Sequence, residues 1–176
     1  MHRRRFIQSL TAVTAGSSFR IQNAVAGKRA MLSYITPTWM LRNAGLNEED
    51  YIEKIALNPP NAVISTYHGQ ADAAGAGDTI TRLGMVKKNI DVSQLKYLAR
   101  SEKLAHLPWA VRDDLSVDLR SRIQDALTGL TGHSTGQDIL QGAQLTALTI
   151  ATDDDYISSE KIITELYGDK YGEEDR

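Results

Sequence analysis

The chain has 176 residues, enough for one domain with a core of its own. Apolar residues make up 41% and charged residues 24%, the balance of a soluble globular protein, and a net charge of −2 argues against a nucleic-acid partner, which calls for a concentrated basic face. There is no cysteine, which excludes disulfides, iron–sulfur clusters and a thiol nucleophile, and no apolar run reaches the ~20 residues of a membrane-spanning helix.

Arg3, Arg4 and Arg5 stand ahead of a modestly apolar stretch, Phe6 to Ala15, and Ala24-Val25-Ala26 has the small residues of a cleavage site before Gly27. This layout predicts an export signal over residues 1–26, of the twin-arginine type with Arg4 and Arg5 as the pair, and a fold that begins at about Gly27. The alternative is a basic N-terminal tail or a short amphipathic helix. Ala30–Ile35 is a short apolar run that predicts a strand. Thr36 then offers an N-cap and Pro37 suits a first helical position, so a helix should carry Trp39, Met40 and Leu41 and stop at Gly45. Residues 51–57 give a weak strand signal, broken by Pro59 and Pro60. Asn61 caps a predicted helix to His68, with Gly69 as its stop. The small apolar run Ala71–Gly77 reads as a buried central strand, and Asp78 as the cap of a helix with Ile80 and Leu83 on one face. Strand and helix alternate here as in parallel βαβ units, so the expected fold class is α/β.

Further along, Leu95–Ala99 and Trp109–Arg112 read as strands. Ser116 caps the clearest helix, whose Leu119, Ile123, Ala126, Leu127 and Leu130 form one apolar stripe. Ser134 with Gln137 fits a capping box, and Ile157–Tyr167 is a last helix burying Ile162, Ile163, Leu166 and Tyr167 and stopping at Gly168. Neither a nucleophile elbow nor metal-ligand spacing is present. Asp153, Asp154 and Asp155 lack the further spaced ligands of a cation site. Thr36 and Thr38 are either caps or donors to an anion. Asp78 is either a cap or a contact for an amine. Trp39 either lines a cleft or packs inside. His68 suits a helix C-terminus and His106 an exposed turn.

The runs GKRAML, TPTWMLRNAGL, GQADAAGAGD and LARSEKLAHLPWAVRDDL follow one another in this order, with capped helices behind them. In this series the chain resembles the phosphate/phosphite/phosphonate-binding proteins of ABC importers, over residues from about 27 to 171. The resemblance implies a periplasmic-binding-protein-like fold over 27–172, with one lobe largely complete plus the C-terminal part of the other, and a tail at 173–176. It implies non-catalytic capture of a small oxyanion such as phosphate, phosphite or a phosphonate, delivered to an ABC permease subunit, with no cofactor and no metal. The location implied is periplasmic or exported, with membrane association as a variant. Family members hold the anion between two lobes at helix N-termini, and the positions implied here are Thr36, Thr38, Trp39, Asp78, Thr79, Ser101 and His106. Several positions depart from the family pattern. Pro37 removes a backbone donor, Pro59 or Pro60 stands where a histidine contacts ligand, and Thr79 and Leu107 stand at acidic positions. The chain is roughly half the family's length, so the first half of the first lobe is expected to be missing. The alternative is therefore a truncated, non-transporting remnant or a periplasmic interaction module, with an unpaired sheet edge that favours a homodimer.

Overall fold

The computed structural model describes residues 21–168 and 171. The chain divides into two compact units, one up to Tyr97 and one from Leu98 onward. The first is α/β, built on a three-stranded parallel sheet. β1 (Ile21–Val25) lies between β2 (Tyr51–Ile55) and β3 (Ala73–Ala74). Ile21 pairs with Tyr51 and Val25 with Ile55, while Asn23 pairs with Ala73. β1 therefore hydrogen-bonds on both sides, and Ala24, Val25 and Ala26 are almost fully buried.

β1 lies inside the span 1–26 and ends beside the boundary expected at residue 26. Ala24 and Val25 lie in β1 and Ala26 follows it, all three are buried, and Ala24 packs on Ala62 of α2. The rest of the expected signal, residues 1–20, and the expected tail at 173–176 lie outside the described residues. The central strand is β1, and the run Ala71–Gly77 supplies only the two-residue strand β3 at an edge.

Met31–Ile35, expected as a strand, forms a wide helical turn that runs straight into α1 (Thr36–Asn43). Tyr34 and Ile35 both donate to the Ala30 carbonyl, and Thr36 donates to that of Met31. The apolar run satisfies burial equally well here, because Ser33, Tyr34 and Ile35 face inward. Thr36 is not a cap in this arrangement, since the helical backbone begins upstream of it.

α1 and α2 (Pro59–Tyr67) end in the same way. After α1, Gly45 donates to Arg42 and Leu46 to Leu41. After α2, Gly69 donates to Thr66 and Gln70 to Ser65. Both glycines have positive φ (84° and 71°), which this paired closure of the last turn requires. The start of α2 shifts from the expected Asn61 to Asn58. Its Oδ1 accepts from the Asn61 N–H at 2.9 Å, and Pro59 and Pro60 occupy the first turn, where their missing donors cost nothing.

Against one face of the sheet, α2 closes an alanine-lined core of Ala24, Ala62 and Ala71. α2 also packs on α3 (Gly84–Asn89) through Val63, Val86 and Ile90. Below α3, Asp91 caps a short helical turn. Hydrogen bonds from the Ser93 hydroxyl, the Gln94 amide and the Ser93 N–H hold its carboxyl below the usual carboxylate range.

The expected strands at 95–99, across the boundary of the two units, and at 109–112, in the second, do not form. Residues 95–112 have no ladder, and Leu107 and Trp109 are exposed. α4 (Val117–Thr128) is capped as expected by Ser116, which accepts from Leu119 N–H. Its apolar stripe is only half-covered within the described residues, and Leu119 is exposed. α5 (Ser134–Gly142) is capped one residue earlier than expected, by His133, whose Nδ1 accepts from the Gly136 N–H at 2.9 Å. Gln137 instead donates to the Thr131 carbonyl. Asp155 closes a capping box with Thr152 ahead of α6 (Ile157–Tyr167), which accounts for one member of the acidic run. Ile162 is buried as expected, Ile163 and Leu166 are half-buried, and Tyr167 is exposed.

Candidate functional site

In a parallel sheet every strand delivers its C-terminal end to the same side, and ligands gather there. In the first unit that end carries the loop after β1, the turn Ala56–Leu57 after β2, and Gly75–Gly77 after β3. The first loop leads through the wide turn at Met31–Ile35 into α1, so the start of α1 sits over the end of β3. The fit is tight. A Cβ at Gly75 would overlap the Pro37 ring, 2.7 Å from its Cβ, and would lie 3.1 Å from the Ser33 carbonyl oxygen. A Cβ at Gly77 would lie 3.3 Å from Leu32 Cδ1.

Three polar side-chain atoms in this unit are buried without a hydrogen-bond partner among the described residues: Thr36 Oγ1, Thr38 Oγ1 and Asn23 Nδ2. Thr36 is 4% exposed. An orphaned buried hydroxyl or amide costs about 1–3 kcal/mol, so a fold that retains three has a use for them or strains against them. The two threonines belong to one turn of α1. Asn23 lies in register with Glu53 on the same face of the sheet. Glu53 Oε1 in turn accepts from the Tyr34 hydroxyl at 2.9 Å.

The expected site residues fall into separate groups. Thr36 and Thr38 come together as buried hydroxyls, with Trp39 half-buried beside them in sequence. Thr36 does not offer a free N–H, because its amide is spent on the Met31 carbonyl. Asp78 does not cap a helix by its side chain. Its carboxylate accepts from Arg82 Nη2 at 3.1 Å on the surface, and Thr79 is the exposed residue at the start of the short turn Ile80–Arg82. Ser101 and His106 belong to the second unit. The Ser101 hydroxyl donates to the Glu102 carbonyl, and the His106 carbonyl accepts from the Tyr156 hydroxyl at 3.0 Å. Asn23 was not foreseen as a polar site residue, because its segment read as part of an export signal.

Among the described residues no group of three or more histidine or carboxylate side chains could hold a metal ion, and no helix is long and apolar enough to cross a membrane. The arrangement suits recognition of an acceptor-rich group by neutral donors. A family model described as ABC transporter, phosphonate, periplasmic substrate-binding protein matches residues 4–156.

Proposed function

The chain belongs to the phosphonate-binding family of ABC-transporter periplasmic substrate-binding proteins, and from that premise we propose that it binds a small oxyanion such as phosphate, phosphite or a phosphonate at the start of α1 and presents it to a permease. The binding is non-catalytic, and a periplasmic or exported location accords with the family. The observation that carries the proposal is the pair of buried, unpartnered hydroxyls of Thr36 and Thr38 at the strand-end face of a parallel sheet. Two hydroxyls that have lost water and gained no protein partner are ready donors, and an oxyanion is the acceptor this geometry lacks.

Replacing Thr36 and Thr38 together by valine keeps shape and removes both hydroxyls. Anion affinity is expected to fall by at least roughly 10- to 100-fold, the size of one hydrogen bond to a charged group. Stability is expected to hold or rise, because two orphaned polar atoms disappear. Isothermal titration of the full chain with phosphate, phosphite and methylphosphonate, alongside thermal melts, checks both halves. Unchanged affinity in the double variant would exclude these hydroxyls as ligands.

A second reading, an interaction module that works through its sheet edge, is favoured by the place of β2 as an outer strand among the described residues, with Ile52 and Ile55 exposed on it. It expects a concentration-dependent dimer in sedimentation velocity that Ile52→Lys disperses. A monomer at every concentration would remove this reading.

A further inference from the structure

We infer that the His133 cap makes the start of α5 an acid-sensitive joint, which opens when the imidazole takes up a proton. The inference concerns the second unit alone and is independent of the oxyanion reading.

Helix α5 opens without a hydroxyl, amide or carboxylate at its cap. His133 has the extended backbone of a cap residue (φ −149°, ψ 154°), and its Nδ1 accepts from the Gly136 N–H at 2.9 Å. A ring nitrogen accepts only through a lone pair, so the proton of the neutral imidazole sits on Nε2. Glycine makes the seat for the ring. Gly136 is buried, and a Cβ on it would lie 2.8 Å from His133 Cε1 and overlap the Leu130 carbonyl oxygen. The helical turn Gly129–Gly132, the cap and the first turn of α5 therefore meet in one close-fitting corner. The Gln137 side chain crosses it to donate to the Thr131 carbonyl.

A proton on Nδ1 removes the lone pair and leaves two N–H groups facing each other. It also sets a positive charge at the positive end of the helix dipole. Nothing nearby offsets that charge. The first turn of α5 has no acidic residue, and its first acid is Asp138 beyond that turn. The turn Gly129–Gly132 has no titratable side chain. α4 contributes Asp118, Arg120, Arg122 and Asp125, of which Asp118 faces Arg122 at 3.8 Å. Among the described residues none of these carboxylates pairs with the ring, whose only partner is the Gly136 N–H. The side chain is exposed, so protons reach it from solvent. Histidine changes charge between about pH 5 and 8, a range in which hydroxyl, amide and carboxylate caps hold their state.

Hydrogen exchange of the full chain, read amide by amide as protection factors at about pH 8 and about pH 5, is the test. Protection at Gly136 is expected to fall about tenfold on acidification, the size of a lost cap together with an adverse dipole. The Leu119 amide, held by the Ser116 hydroxyl at the start of α4, is the internal reference and should not follow. His133→Asn keeps a cap that does not titrate and should make Gly136 equally protected at both pH values. Flat protection at Gly136 in the parent, or a fall that His133→Asn retains, would overturn the inference. So would imidazole nitrogen shifts that place the neutral ring's proton on Nδ1, a reading taken on the parent chain without any substitution.

Discussion

A chain shortened to begin at Gly27 is expected to lose its first unit altogether. The deletion removes β1, and with it five residue pairs to β2 and two to β3. β2 and β3 touch each other only through β1, so no sheet remains for α1 and α2 to pack against. The alanine core loses Ala24, and Val25, fully buried in the parent, is gone. Backbone groups left unpaired cost about 1–3 kcal/mol each, and burying one valine contributes about 1.5–3 kcal/mol. The sum exceeds the ~5–15 kcal/mol that holds a typical domain together. Hydrogen exchange of the Gly27 chain against the full chain reads this directly. Amides of β2 and α2 should exchange at unfolded rates in the shortened chain and be protected in the parent. Native protection at Tyr51–Ile55 without β1 would refute the central-strand topology.

Gly75→Ala is the second large effect. The new Cβ would run into the Pro37 ring, and a proline ring has no rotamer with which to retreat. The Ser33 carbonyl, 3.1 Å away, closes the other side. Either α1 lifts from the end of β3 or β3 parts from β1. We expect a loss of about 3 kcal/mol, at the upper end for overpacking, and a drop in Tm of at least about 10 °C. Because α1 carries Thr36 and Thr38, anion affinity should fall as well. Gly84→Ala is the matched control. A Cβ there meets open space, and the glycine opens α3 without a positive φ, so its melt should stay at or slightly above the parent's. If the two alanine variants melt together, the close approach of Pro37 to β3 is wrong.

Much of the α/β character was legible because local chemistry and tertiary need agreed. Ser116, Gly45, Gly69 and Gly168 mark helix ends by rules that act over four or five residues, and each stands at the end of a helix. Caps slipped by a few residues where two candidates adjoined, as with Asn58 and Asn61, or His133 and Ser134. What local chemistry could not decide was the role of short apolar runs. Met31–Ile35 has the content of a strand, yet it is the start of a helix, because strand and helix bury such a run equally. Ile21–Val25 was hidden by its small residues and by the arginines upstream. Residues 95–99 and 109–112 have strand composition, but a strand needs a partner edge, and composition does not supply one. At the candidate site, the sequence offers the hydroxyls of Thr36 and Thr38 as caps or anion donors. It does not show their burial without partners, nor the surface pairing that withdraws Asp78, since both depend on how α1 and the turn after β3 fold back on the sheet.

The place of β1 also sets an order in time. It is the earliest of the three strands in the chain and the one on which the other two depend. Parallel neighbours cannot be joined by a hairpin, so β1 must wait while the chain that becomes α1, and then α2, is laid down before each partner arrives. Each loop must close before its strand pair returns any free energy, which makes assembly of this unit slow relative to its helices. Through that interval the segment IQNAV is a strand-forming ribbon with two open edges, a stage at which the chain is exposed to aggregation.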